Sequence, residues 1–148
     1  MAKELDERPA SSVDKKSQAP RQYAPGVSLL SRRTFELDLQ TKISVEEIER
    51  WLLTAAAKTT SAHVLTEIFA GQLAQAGLGV DRLVLNVGTF HPQANGYAWA
   101  WNILDGICDE IQISEETLFS DAFRNNPIYR VITFGENVRE KLLELLEE

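Results

Sequence analysis

The side chains best placed to do chemistry gather between His91 and Glu116. His91 precedes Pro92, where the chain must leave a strand ladder because proline has no N–H to donate. A histidine at such a strand end can line a pocket and titrate near neutrality, or it can hydrogen-bond a turn carbonyl. Tyr97, Trp99 and Trp101 alternate with smaller residues, so in an extended strand all three would stand on one face, with Ile103 continuing the row. Flat, rigid rings with polar tips suit stacking on a planar ligand or an interface; they suit equally the ordinary contact between a sheet and its helices. Cys108 is the sole cysteine, so no intrachain disulfide can form, and with neither histidine nearby in sequence it reads as a buried, inert thiol. Cys108, Asp109 and Glu110 are consecutive and would alternate faces, which cannot bring three ligands to one metal ion. Asp105, Asp109, Glu110, Glu115 and Glu116 could offer paired carboxylates for acid–base work, although such runs are usually a solvated face. A small enzyme using His91 and a neighbouring carboxylate is the catalytic reading these residues allow. No Gly-rich phosphate loop, serine-centred elbow or kinase signature accompanies it, and no cofactor is named by the residue types.

The elements that position these groups follow from periodicity. Leu83, Leu85, Val87 and Thr89 would share one face of a strand over about 82–90, the aromatic row forms a second strand over about 96–104, and 107–113 a third. His91-Pro92-Gln93-Ala94-Asn95-Gly96 separates the first two, and Asp105-Gly106 is a two-residue turn signal between the second and third, so the three read as an antiparallel meander. Upstream, Phe35, Leu37 and Leu39 alternate with Glu36, Asp38 and Gln40, which predicts a short half-exposed strand over 34–40. Ser44 and Glu47 form a capping box, and Val45, Ile48, Trp51, Leu52 and Ala55 make an apolar stripe, so a helix should run to about Lys58. Ser61 caps a second helix carrying Leu65, Ile68, Phe69, Leu73 and Ala76, stopped at Gly77, with His63 on its exposed side. Ser114 caps a short helix with Leu118 and Phe119. Asn126-Pro127 opens another turn of helix, Gly135 breaks it, and Glu136 to Glu148 reads as a terminal helix with Val138, Leu142 and Leu145 on one stripe. The order is strand, two helices, three strands, then helices, which implies an α+β fold: a small antiparallel sheet of three to four strands packed with helices. So small a sheet has two edges that need covering by the terminal helix, another chain or a further segment.

Charge and composition narrow the partners. The 148 residues suit one domain, and 44% apolar content can bury a core. Residues 1–28 are rich in Lys, Ser, Ala, Pro and acids without periodicity and read as a disordered tail, leaving 29–148 as the folded domain. The net charge of -7 is uneven: residues 1–33 hold seven Lys/Arg against four Asp/Glu, the remainder eight against eighteen. A folded part that acidic repels phosphate backbones, so nucleic acid is not an expected partner. No apolar run approaches the ~20 residues of a membrane span, and the polar N-terminus has no signal-peptide core, so a cytoplasmic protein with no membrane partner is expected.

Several short motifs stand in an order that resembles a known region. Trp51-Leu52-Leu53, Leu78 to Arg82, Thr89-Phe90-His91-Pro92 with Gly96 and Trp101, Asn126-Pro127-Ile128 and Val138-Arg139-Glu140-Lys141-Leu142 together resemble the N-terminal regulatory region of bacterial class III adenylate/guanylate cyclases. The likeness spans about Ile43 to Leu143. Phe90 stands where that pattern usually has Leu, and Asn126 where it often has Ser. The cyclase catalytic domain with its metal-binding aspartates lies outside this chain. The resemblance therefore implies a GAF-like sensory or regulatory module of a nucleotide-cyclase signalling protein, without catalysis of its own. Such a module would bind a small planar ligand or a partner at His91, Tyr97, Trp99 and Trp101. It would relay the signal through Val138, Leu142 and Leu145 to a homodimer partner or a cyclase-type output domain. The alternative is a protein–protein interaction or dimerisation module with no small-molecule ligand, docking through the aromatic face or a sheet edge.

Overall fold

The computed structural model describes residues 21–91 and 94–140. Four strands form one antiparallel sheet: β1 (Val27–Thr34), β2 (Arg82–His91), β3 (Ala94–Asn102) and β4 (Ile107–Ile113), in the order β1-β4-β3-β2. Between β1 and β2 come helix α1 (Val45–Leu53), a 3-10 turn at Ala56–Lys58 and helix α2 (Ala62–Gln75). After β4 follow three short helices, α3 (Glu115–Leu118), α4 (Asp121–Arg124) and α5 (Pro127–Phe134). This is an α+β fold, and the expected order of elements stands.

The caps explain where the helices begin. Ser44 accepts from the Glu47 N–H while Glu47 Oε2 accepts from the Ser44 N–H at 2.8 Å, the reciprocal box that satisfies two otherwise unpaired amides. Ser61 and Asn126 each cap one amide, that of Val64 in α2 and of Ile128 in α5, and Gly135, at φ 66°, closes α5 in the left-handed conformation that favours glycine. α1 stops at Leu53 instead of continuing to Lys58. The Thr54 hydroxyl turns back onto the Arg50 carbonyl at 2.7 Å, and its backbone leaves the helical region at φ -118°, ψ -85°.

The core sits where α2 crosses the meander. Trp101, Cys108 and Ala70 are fully buried together, with Leu83, Val80, Ile103, Ala74, Phe35 and Leu37 packed around them. Small Ala70 lets α2 approach the indole, Gly71 leaves room for Leu37, and Phe35 lies flat on the indole with ring centroids 5.2 Å apart. Trp51 of α1 stacks on Phe69 of α2 at 6.4 Å and ties the two helices.

Several expectations are corrected. The first strand is Val27–Thr34, not 34–40. Phe35 and Leu37 still point inward because the Phe35 N–H bonds the Gly106 carbonyl at 2.9 Å and holds the crossing segment over Trp101. The expected boundary at residue 28 thus falls inside β1, while residues 1–20 lie outside the described residues. The link between β3 and β4 is four residues, Ile103–Gly106, because the Asn102 and Asp105 side chains take the Leu104 and Ile107 amides at 2.8 and 3.0 Å; Gly106 adopts φ 66°. His63 is buried, not exposed, since the start of α2 packs onto β4 rather than facing solvent. Glu136 to Glu140 are not helical: Gly135 redirects the chain, and Arg130 draws Glu136 and Glu140 to itself at 2.7 and 3.2 Å.

Trp101→Ala should lower stability by about 3–5 kcal/mol, the range for an aromatic deleted from a closed core. Urea unfolding followed by circular dichroism checks this, and a loss below about 1 kcal/mol would mean that the ring is not the centre of the core.

Candidate functional site

β3 distributes its aromatic row along the length of the sheet, so the three rings meet three environments. Trp101, opposite Leu83 and Cys108, belongs to the core and is closed to any ligand. Its buried Nε1 finds no acceptor among the described residues. Trp99, opposite Leu85 and Glu110, is half-buried and donates its indole N–H to Glu110 Oε2 at 2.8 Å. Tyr97, opposite Val87 and Gln112, lines a groove at the far end. The strand periodicity places the rings on one face, as expected, but the packing does not gather them into one site. His91 ends β2, paired with Ala94, and its side chain lies outside the described residues. Val138 is non-helical, and Leu142 and Leu145 lie outside the described residues.

The carboxylates meet a different fate from a solvated face. Asp109 is fully buried on β4, directed to the side of the sheet opposite Cys108. Arg32 of β1 grips it with both ends of its fork, Nε to Oδ1 at 2.7 Å and Nη2 to Oδ2 at 2.8 Å. The Tyr23 hydroxyl donates to Oδ2. Arg21 binds Asp105 bidentately at 2.7 and 2.8 Å and donates to the Ala100 and Ile107 carbonyls, both at 2.9 Å, with Asp109 Oδ2 a further 3.4 Å away. The segment before β1 is thus stitched across the sheet by charge-assisted bonds. Burial pushes the Asp109 carboxyl up, but the bonds from Arg32 and Tyr23 and the arginine charges outweigh it, and the group titrates below the usual carboxylate range. Burial and the bond to Asp109 hold the Tyr23 phenol above its ordinary value.

On the other side of β4, His63 Nε2 meets the Cys108 carbonyl at 2.7 Å, and Nδ1 meets Ser31 Oγ at 3.1 Å. A carbonyl can only accept, so Nε2 carries the proton and the serine hydroxyl donates to Nδ1 in the neutral ring. The ring is a spacer between α2, β1 and β4. Burial, and next the Glu67 charge, pushes the Cys108 thiol up to about 12, which leaves it protonated and unreactive. Among the described residues, no group of three or more metal-binding side chains comes together, and no helix is long and apolar enough to cross a membrane.

The groove at the Tyr97 end is the arrangement best suited to hold a molecule. It has a volume of about 310 Å³ and lies between the Gly88/Gly96 part of the sheet and α3–α5. Ile113, Leu118, Phe123, Ile128 and Ile132 supply apolar walls, and no lining residue is charged. Gly96 is required there, since a Cβ at this position would come within 2.7 Å of the Val87 carbonyl oxygen. Asn95 lines the groove, and its buried amide nitrogen has no hydrogen-bond partner. An unpaired buried donor costs about 1–3 kcal/mol, so a ligand acceptor placed opposite Asn95 would recover part of that cost. Apolar walls with a few placed polar groups are the usual constitution of small-molecule sites.

The Asp109 clasp and Asn95 escaped sequence reasoning. Arg21 and Tyr23 sit in a segment with tail-like composition, and nothing in that stretch marks its partners some eighty residues away. Comparison of the chain with protein-family models, with curated proteins and with solved structures found no match.

Asp109→Asn should cost about 3 kcal/mol near neutral pH, because it strips the carboxylate from two arginines. Since the folded state holds this group below its unfolded value, its contribution is present above about pH 4 and is lost as pH falls through the folded value. The gap between wild type and variant should therefore shrink in acid, as measured by urea unfolding at a series of pH values. A gap independent of pH down to pH 2 would contradict the clasp.

Proposed function

We propose that the chain is a GAF-like regulatory module of a nucleotide-cyclase signalling protein. It takes a small, flat, neutral molecule in the groove beside Tyr97 and does no catalysis itself. Two things support this reading: the ordered motif set from Trp51 to Leu142, and an apolar groove at the Tyr97 end of the sheet that no charged residue lines. The observation that carries the ligand is the groove itself, about 310 Å³ with apolar walls and no charged lining residue, which Asn95, whose buried amide nitrogen is unpaired, helps to line. A heterocycle carrying a carbonyl or ring-nitrogen acceptor would answer the Asn95 amide, while the ring faces of such a molecule would meet Phe123 and the isoleucines. Phosphates find no counter-charge there, so the base rather than the charged part of any nucleotide is what fits.

The relay follows from what borders the groove. Ile128 and Ile132 belong to α5, which leads through Gly135 to the Arg130–Glu136–Glu140 ion pairs and on to the C-terminal residues. Filling the groove would displace α5 relative to the sheet and carry the change to an output domain or a paired chain. Trp99, two residues along β3 from Tyr97, is the natural reporter.

Titration with adenine, guanine and nicotinamide, followed by tryptophan fluorescence, tests the proposal. At least one should give a saturable change that Asn95→Ala weakens by about tenfold or more, while the same substitution leaves stability unchanged or higher because it removes an unsatisfied donor. No saturable response to these or other neutral heterocycles, or a response indifferent to both Asn95→Ala and Ile128→Asp, would refute it.

A further inference from the structure

β2 is the longest strand and forms one of the two edges of the sheet. The edges are built differently. β1 has an irregular register between Leu29 and Ser31 and carries Arg32 and Arg33, features that discourage pairing with another chain. From Leu83 to Phe90, β2 holds neither charge nor proline, and among the described residues no strand pairs with its outer side.

The ladder identifies which groups are free. The Ile103 N–H donates to the Asp81 carbonyl at 2.9 Å, and Arg82 lies opposite Asn102. That makes Arg82 and Asn102 a non-hydrogen-bonded pair, so Leu83, Leu85 and Val87 bond into β3, while Val84, Asn86 and Gly88 turn their N–H and C=O groups outward. Beside this edge, Leu52 of α1 and Leu65 and Phe69 of α2 form with Leu83 and Leu85 an apolar trough of about 350 Å³. Leu52 and Leu85 remain 43% and 39% exposed beside it.

We propose that a second copy of this chain covers the edge, its own β2 pairing antiparallel about a two-fold axis at Asn86. Asn86 then meets its own equivalent, Val84 meets Gly88 of the partner subunit, and Leu85 stands across from the partner subunit's Val87. Two four-stranded sheets become one of eight strands. Area and charge argue for a second copy rather than a lone peptide. A ten-residue edge is a strip of about 34 Å by about 10 Å, well short of the roughly 800 Å² per partner that a stable interface buries. A peptide strand would cover that strip and leave Leu52 in water. A two-fold copy brings its own trough to the same side of the continuous sheet, so that the two apolar shelves adjoin. Copies of net charge -7 repel at a distance, and the neutral run from Leu83 to Phe90 is where they can approach without like charges meeting. This proposal does not rest on the groove being filled, although Asn86, Val87 and Gly88 of the same edge also line it.

Sedimentation of the full chain over a wide concentration range tests it. Wild type should form a dimer. Asn86→Pro removes an N–H that the sheet itself does not use, so the circular dichroism spectrum should persist while dimer dissociation rises by about a hundredfold. Leu52→Lys, on an exposed helical position, should raise it by about tenfold without touching the strand, which keeps the test sound if the proline variant fails to fold. A wild-type monomer at every concentration would overturn the proposal, and so would a dimer that neither substitution weakens.

Discussion

A carboxylate buried without counter-charge cannot persist in a protein interior, and Asp109 meets that constraint by drawing three separate pieces of chain to one point. β4 carries it, β1 supplies the Arg32 fork, and the segment before β1 supplies Tyr23 and Arg21. On the opposite face of the same strand, Cys108 lies against Trp101 and Ala70. One end of the sheet is therefore held from both sides, by ions on one and by close apolar packing on the other. Replacing the ions by apolar residues could give comparable stability. What the ions add is placement: they fix where the N-terminal segment crosses the sheet.

The other end is built more loosely. There the strands carry Gly88 and Gly96 instead of Trp101 and Cys108, and the covering helices α3–α5 are short and hold no buried residue. The groove lies between these loose helices and the sheet. On the proposed regulatory reading, a ligand in the groove would move α5 without disturbing the core. Elements that respond to ligands come from the low-stability part of a fold.

Much of this was legible from residue order, for reasons that can be named. Ser44, Ser61, Asn126 and Gly135 act locally, so their caps and stops could be read directly. The alternation from Leu83 to Ile113 places Tyr97, Trp99 and Trp101 on one face because strand periodicity is also local. Which ring becomes core was not legible, since that depends on α2 presenting Ala70 at Trp101. The 34–40 alternation has the right facing residues in the wrong element. Phe35 and Leu37 turn inward, yet their backbone lies beyond the last pairing of β1, at Thr34 with Ile107. Asp109 looked like one acid in a solvated run because its partners are distant and its burial is set by tertiary packing. Asn95 gave no signal at all: an unpaired amide is recognised only when its surroundings are known.

One end of the sheet is clamped and the helices over the groove are loose. Native-state hydrogen exchange measures this contrast residue by residue. The amides of Ala98–Trp101 and Cys108–Ile111 that bond within the ladder should exchange near the rate of global unfolding. Those of α3, α4 and α5 should exchange about a hundredfold faster or more. Equal protection across both sets would contradict the account, because α3–α5 would then be held as firmly as the clamped end.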